Sequence, residues 1–182
     1  MIDRVREKEI LVIGFGNEFR NDDRIGLLAA NMIAEKKIPG VKCVEGSGEA
    51  LGQMQLWSEF RTLYLIDAVC SECNAGTIHR IDPQREPLSV GIFNRSTHAF
   101  SVAECVELAK VMGTLPDQCY LFGIEGNDFG WGRTITPAVQ RAAERVADII
   151  ISEIGLMFNI DPAIQAASSA MTRQLPSGEL PV

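Results

Sequence analysis

The sequence has little positive charge, since 17 lysine and arginine residues face 24 aspartate and glutamate residues. The resulting net charge of −7 at pH 7 disfavours binding to the phosphate backbone of DNA or RNA, which requires clustered basic side chains. A basic protein surface or a cation is compatible with this charge. We therefore expect no nucleic acid partner.

The sequence also lacks long apolar runs and a cysteine pattern typical of disulfide bonds. No apolar stretch approaches the roughly 20 residues that a membrane-spanning helix needs, and the charged residues 1–9 lead into a run too short for an export signal. The five cysteines are odd in number and scattered along the chain, which argues against a disulfide framework. We expect a cytoplasmic protein without membrane insertion.

What the sequence does contain is a regular alternation of strand-like and helix-like apolar segments. Strands are predicted at 10–13, 41–44, 62–66, 76–81 and 119–124, with helices beginning near residues 25, 51, 101 and 137. This order predicts an α/β fold, a three-layer sandwich in which helices cover both faces of a parallel sheet. The simplest division is one domain, residues 1–155, followed by a loosely held tail, residues 156–182.

Three polar segments point to one edge of this predicted sheet. The glycine-rich turn after the first strand ends at Asp23, Asp67 directly follows the apolar run ending at Ile66, and His98 precedes the third predicted helix. Ligands bind beyond the carboxyl ends of the strands in such sheets, so we expect Asp23, Asp67 and His98 to converge. Two carboxylates and an imidazole suit a divalent transition metal better than magnesium, calcium or a thiolate zinc site.

Each of these residues also has a purely structural interpretation. Asp22 or Asp23 could cap the following helix and complement its positive end. Asp67 could accept hydrogen bonds from loop amides, and a single histidine before a helix is often structural. Spacing by itself therefore leaves both a metal site and three structural roles open.

The turn Gly14-Phe15-Gly16 suggests a different function, that of a dinucleotide-binding domain. The fingerprint of such domains requires a third glycine or alanine where this chain has Phe19, and its helix begins within the glycine motif. The polar turn here continues to Asp23 instead. We keep dinucleotide binding as an alternative of lower rank.

Cys70 and Cys73 form a single Cys-x-x-Cys pair. One such pair cannot complete a thiolate zinc site, and a redox role would require it to open a helix, whereas a turn into a strand follows. We interpret these two cysteines as incidental. The alternative is an accessory metal contact near Asp67.

Taken in order, the motifs resemble those of the hydrogenase maturation proteases, the endopeptidases that finish the large subunit of nickel–iron hydrogenases. The matching segments are 13–17 and 22–26 (the N-terminal signature), 45–48 (a glycine loop), 65–68 (the central strand and acid), 96–98 (the histidine loop), and 123–125 and 136–139 in the C-terminal half. The resemblance extends over roughly residues 9–154 and implies a twisted, mostly parallel sheet flanked by helices. Arg24 and Glu45 depart from the family pattern, which has a small residue and an aspartate there.

The resemblance also implies a reaction and a site. The metal-contacting acid, the second acid and the histidine of the family fall on Asp23, Asp67 and His98, as catalytic and metal-binding residues. The implied partner is the large-subunit precursor, loaded with nickel, from which a short C-terminal extension is removed. The precursor would present the nickel, and zinc or cadmium could occupy the same site. A nickel-binding chaperone that docks on the precursor without cutting it is the alternative.

Overall fold

The computed structural model describes residues 8–46, 50–85 and 102–158. Every predicted strand and helix has a counterpart in this part of the chain. The elements in order are β1 (Lys8–Gly14), α1 (Ile25–Ala34), β2 (Val41–Glu45), α2 (Ala50–Trp57), β3 (Phe60–Val69), β4 (Ile78–Ile81), α3 (Val102–Val111), β5 (Gln118–Glu125) and α4 (Pro137–Met157). A short 3-10 helix, Asn21–Arg24, directly precedes α1.

The strands form one sheet in the order β2-β1-β3-β5-β4. The neighbours β1–β2, β1–β3 and β3–β5 are parallel, whereas β4 runs antiparallel to β5 at one edge. The central strand β3 is buried along nearly its whole length, as expected for a strand covered on both faces. The predicted α/β fold with a mostly parallel sheet is confirmed.

Helices cover both faces of the sheet, and the alternation of side chains along the strands separates two cores. Leu63 and Leu65 of β3 pack in a cluster with residues of α2 and α3, while Tyr64 and Ile66 pack in a second cluster with residues of α1 and α4. Both clusters consist largely of side chains with almost no solvent exposure. The predicted three-layer arrangement is therefore present.

The strand order creates a crevice at the carboxyl ends of β1 and β3. The chain leaves β1 through α1 toward β2 on one side, then returns past β1 to β3 on the other side. Loops that diverge from two adjacent parallel strands open a ligand-binding crevice between them. The segment after β1 and the end of β3 thus flank the position where a site is expected.

Two glycines let α1 approach this crevice closely. A Cβ at Gly26, at the start of α1, would collide with the carbonyl oxygens of Phe15 and Ile66, and a Cβ at Gly14 would collide with the carbonyl of Gly26. Any larger residue at either position would force the helix away from the sheet. The close approach brings the 3-10 helix that precedes α1 against the end of β3.

The end of the described chain is helical. Helix α4 continues through Gly155 to Met157, with Ile151 and Ile154 buried against the sheet, and residues 159–182 lie outside the described part. The division into one domain and a tail therefore stays a prediction. Among the described residues, no helix has both the length and the apolar character needed to cross a bilayer.

Candidate active site

Asp23 lies in the 3-10 helix between β1 and α1 and is only 5% exposed. The turn that leads to it depends on Gly16, whose φ of +142° is rarely adopted by residues with a side chain. A Cβ at Gly16 would also collide with the carbonyl oxygen of Asp23. The glycine of this turn thus allows the backbone of the acidic segment to fold directly over the end of β1.

Asp67 lies within β3 rather than after it, which corrects the prediction from the sequence. The strand continues because Ala68 and Val69 keep the parallel register with Ile124 and Glu125 of β5. The Asp67 side chain is buried, and its Oδ1 accepts a hydrogen bond of 2.9 Å from the backbone N–H of Ala68. A carboxyl group therefore sits inside the sheet layer, two residues before the strand ends.

The electrostatics of Asp67 show that the two acids lie close together. Burial, followed by the negative charge of Asp23, raises the pKa of Asp67 from 3.8 to about 8, and the hydrogen bond from Ala68 offsets only part of this. A buried carboxyl next to a second carboxyl holds a proton at neutral pH unless a cation replaces it. The pair Asp23 and Asp67 is thus suited to contact a metal cation.

His98 lies outside the described residues, as do the rest of 86–101. The structure therefore brings together two of the three predicted site residues, and the position of the third stays a prediction. Helix α3 begins at Val102, in the layer that covers the Asp67 face of β3.

Asp22 is fully buried and has a role that the sequence did not indicate. Its Oδ2 accepts hydrogen bonds from the backbone N–H groups of Asn127 and Asp128, both 2.9 Å, and from the hydroxyl of Thr136 at 2.8 Å. Its Oδ1 accepts a fourth, of 2.6 Å, from the backbone N–H of Thr136. The interpretation of Asp22 as a helix cap is wrong, because the N-cap of α1 is Arg24 and no side chain caps it.

The residues around Asp22 extend this contact into a wider junction between segments 20–24 and 126–136, which we call the loop junction. The guanidinium of Arg20 donates two hydrogen bonds, of 3.1 and 2.9 Å, to the carbonyl oxygen of Phe129. The side-chain amide of Asn21 donates one bond and accepts one from the same loop, at 2.8 and 3.0 Å. The segment that carries Asp23 is therefore fastened to the loop between β5 and α4.

The two positions that depart from the resembled family lie at the rim of the crevice. Arg24 donates a hydrogen bond of 3.3 Å to the carbonyl oxygen of Arg133 and so joins the loop junction. Glu45 is exposed at the end of β2, where its backbone pairs with Gly14 of β1. Arg24 thus has a structural contact that a small residue would lack.

The glycine turn does not have the geometry of a dinucleotide site. The 3-10 helix separates Gly16 from the first turn of α1, and the main chain of Asp23 packs directly against Gly16. In a dinucleotide fold the helix begins within the glycine motif, and its N-terminus faces the pyrophosphate. Here protein backbone occupies the space next to the turn, which argues against the dinucleotide alternative.

Comparison with known proteins agrees with this geometry. The family model described as hydrogenase maturation protease matches residues 27–153, more than half of the chain. The hydrogenase expression/formation protein HupD of Thiocapsa roseopersicina is 27% identical over 152 residues, which cover 78% of this chain and 69% of that protein. HoxM of Cupriavidus necator, with the same description, is 26% identical over 148 residues, 78% of this chain and 73% of that protein.

Solved structures extend the similarity to the fold. The hydrogenase maturating endopeptidase HybD from E. coli superposes with a TM-score of 0.66 at 21% identity, over 80% of this chain and 91% of that one. The maturation protease HycI from Thermococcus kodakarensis superposes with a TM-score of 0.62 at 22% identity, over 79% and 90%. At these identities the superpositions show a shared fold.

Proposed function

The chain belongs to the hydrogenase maturation protease family, and on that basis we propose that it removes a short C-terminal extension from the large-subunit precursor of a nickel–iron hydrogenase. Members of this family are endopeptidases that act on hydrogenase large-subunit precursors, and this protein is an endopeptidase of the family. The finer part of the proposal is that Asp23, Asp67 and His98 recognise nickel in the precursor before cleavage.

The observation that carries this proposal is the pair of buried acids at the crevice. Burial and the charge of Asp23 both disfavour ionisation of Asp67. Such an arrangement costs stability in the free protein, and a divalent cation placed between the carboxylates would remove that cost. The donor set of two carboxylates and the imidazole of His98 fits a divalent transition metal.

In the proposed mechanism the metal arrives with the substrate. The precursor holds the nickel, and the carboxylates of Asp23 and Asp67 complete its coordination from the side of the protease. Because Oδ1 of Asp67 accepts the hydrogen bond from Ala68, Oδ2 is the oxygen that would face the metal. This contact aligns the C-terminal extension with the crevice, so that cleavage depends on metal loading.

The proposal is tested by intact mass of the precursor after incubation with the protein. A nickel-loaded precursor should lose a C-terminal peptide, whereas a metal-free precursor should keep its full mass. Asp67→Asn should abolish processing, a loss of at least about a thousandfold, because a neutral amide lacks the carboxylate charge and is a much weaker ligand for a divalent transition metal. Circular dichroism should show that the variant remains folded.

The matched control is Asp148→Asn, which makes the same change at a half-buried position of α4 and should process normally. Normal processing by folded Asp67→Asn would sink the assignment of this residue. Equal processing of metal-free and nickel-loaded precursor would contradict metal recognition. Stable binding without any change of mass would favour the non-cleaving chaperone instead.

A further inference from the structure

A second group of metal-ligating side chains lies at the antiparallel edge of the sheet, apart from Asp23 and Asp67. Cys73 belongs to the loop between β3 and β4, His79 to β4, and Glu125 to the end of β5. One ligand atom of each, the thiol sulfur, an imidazole nitrogen and a carboxylate oxygen, lies within 4.8 Å of the other two. The chain has two histidines in all, and one of them is in this group.

The separation of His79 and Glu125 matches that of two ligands on one ion. Their Nε2 and Oε2 atoms are 3.5 Å apart, which is long for a hydrogen bond of about 2.9 Å. Nitrogen and oxygen ligands at 2.0–2.2 Å from a tetrahedral zinc ion stand roughly 3.3–3.6 Å apart. The observed distance therefore leaves room for a cation between the two atoms without moving either strand.

The imidazole nitrogen needs a partner that the described residues do not supply. Nε2 of His79 is buried and has no hydrogen-bond partner among the described groups, although the ring edge is partly accessible. A buried polar nitrogen without a partner is costly, and a metal bond would satisfy it. This nitrogen is the one directed at Glu125.

The carboxylate of Glu125 is already held in place by a neighbouring residue. Its Oε1 accepts a 2.6 Å hydrogen bond from the backbone N–H of Ser71, and its Oε2 accepts a 2.8 Å bond from the Ser71 hydroxyl. Hydrogen bonds of this kind orient ligating carboxylates in metal sites, and each oxygen keeps a further lone pair. The backbone of Glu125 is also fixed, because its N–H and C=O pair with Thr77 and Gly76.

We propose that Cys73, His79 and Glu125 bind one divalent transition metal of the zinc class, with the fourth coordination position open. A thiolate, an imidazole and a carboxylate form a mixed set suited to such a borderline ion. Cys73 is exposed in the middle of its loop, and its sulfur already lies within 4.8 Å of the other two ligand atoms, so a rotation of this side chain can bring it to bonding distance. The ion would join the loop between β3 and β4 to the end of β5.

This site is separate from the pair that the proposed function uses. In the sheet, Asp67 pairs with Gly123 of β5, and Gly123 in turn pairs with His79 of β4, so two strand spacings separate the two side chains. That distance is about 10 Å between Cα atoms. The proposed nickel contact through Asp23, Asp67 and His98 contains no sulfur. A spectroscopic signal from a thiolate therefore reports on the new site alone.

The test is titration of the metal-free, full-length protein with cobalt(II), which reports tetrahedral thiolate ligation through its d–d bands and a charge-transfer band in the near ultraviolet. One ion per chain should give both signals, and zinc should displace the cobalt. Cys73→Ser should abolish the charge-transfer band, and His79→Gln and Glu125→Gln should each weaken binding at least tenfold. Ser71→Ala should weaken it by roughly tenfold, as loss of an orienting group does.

The matched control is Cys70→Ser, which makes the same change three residues earlier in the chain and should keep the band. The double variant Asp23→Asn/Asp67→Asn should also keep it, whatever becomes of processing. Absence of a charge-transfer band in the unaltered protein would overturn the proposal and leave His79 and Glu125 as an ion pair. Loss of the band in Cys70→Ser, together with its retention in His79→Gln, would also overturn the proposal and would favour metal binding by the thiolates of Cys70 and Cys73.

Discussion

Asp22 and Asp23 are neighbours in the chain, both buried, yet their surroundings are opposite in kind. The carboxylate of Asp22 accepts four hydrogen bonds from the loop between β5 and α4. Asp23 lies beside the buried carboxyl of Asp67, and its negative charge opposes ionisation of that group. One acid stabilises the loop junction, and the other contributes to a site that is electrostatically strained.

The comparison shows how the protein keeps two carboxyl groups close together. When Asp67 ionises, its repulsion from Asp23 would push the 3-10 helix away from β3 if that helix were free to move. The hydrogen bonds that Asp22 and Asn21 accept from the loop between β5 and α4 oppose such a movement. We infer that Asp22 supplies the stability with which the crevice keeps its two acids close.

The largest loss of stability is expected from a substitution that breaks the loop junction. Asp22→Ala leaves four donors of the partly buried loop without their acceptor, three backbone N–H groups and one hydroxyl. We expect a loss of about 4 kcal/mol in the free energy of unfolding, measured by denaturant titration. Asp148→Ala on α4 is the control and should change stability little. A loss below about 1 kcal/mol would contradict the role given to Asp22.

An effect of similar size and opposite sign should come from Asp67. Because the pKa of Asp67 is higher in the folded protein than the 3.8 of the free group, the folded state binds the extra proton, and stability falls as the pH rises from about 4 to about 8. Asp67→Asn removes this dependence. We expect it to stabilise the protein by on the order of 5 kcal/mol near pH 8 and by very little near pH 4.

Unfolding of both proteins across this pH range measures the difference. Asp148→Asn is again the control, since it makes the same change at a half-buried position of α4 away from the crevice. If the difference in free energy of unfolding between Asp67→Asn and the unaltered protein did not change with pH, the pKa of Asp67 would be the same in the folded and unfolded states, which would contradict the prediction. If Asp67→Asn stabilised the protein more at low pH than at high pH, folding would lower the pKa of Asp67 instead of raising it, which would contradict the prediction.

The third prediction concerns the close approach of α1. Gly26→Ala places a methyl group against the carbonyl oxygens of Phe15 and Ile66, and backbone cannot yield as a side chain does. We expect a loss of about 2 kcal/mol and, because α1 is displaced, a lower pKa of Asp67 by carbon-13 NMR titration. Gly155→Ala is the matched control, since open space surrounds that helical glycine and the change should be neutral or stabilising.

The smallest effect tests one bond of the loop junction. Thr136→Val keeps the size of the side chain but removes the hydroxyl that donates to Asp22. We expect a loss of about 1 kcal/mol, because the other three hydrogen bonds to Asp22 remain. Thr136→Ser keeps the donor and should lie close to the unaltered protein in thermal unfolding. Equal losses in both variants would assign the effect to packing.

The sequence alone determined the layers of the fold and part of the site. Periodicity distinguished strands from helices because side chains alternate along a strand and recur every three to four residues along a helix. The apolar run of β3 indicated a strand buried on both faces, and the rule for open α/β sheets placed Asp23 and Asp67 at one edge. Both lie there in the structure, although β3 extends two residues past Asp67.

Only the tertiary structure distinguished the surroundings of Asp22 from those of Asp23. Asp22 and Asp23 are the same residue type at adjacent positions, so local pattern cannot distinguish them, and the donors to Asp22 lie more than 100 residues away. The group Cys73, His79 and Glu125 likewise forms only because β4 turns back antiparallel to β5. Contacts between distant segments depend on how layers pack, and that information is spread over the whole chain.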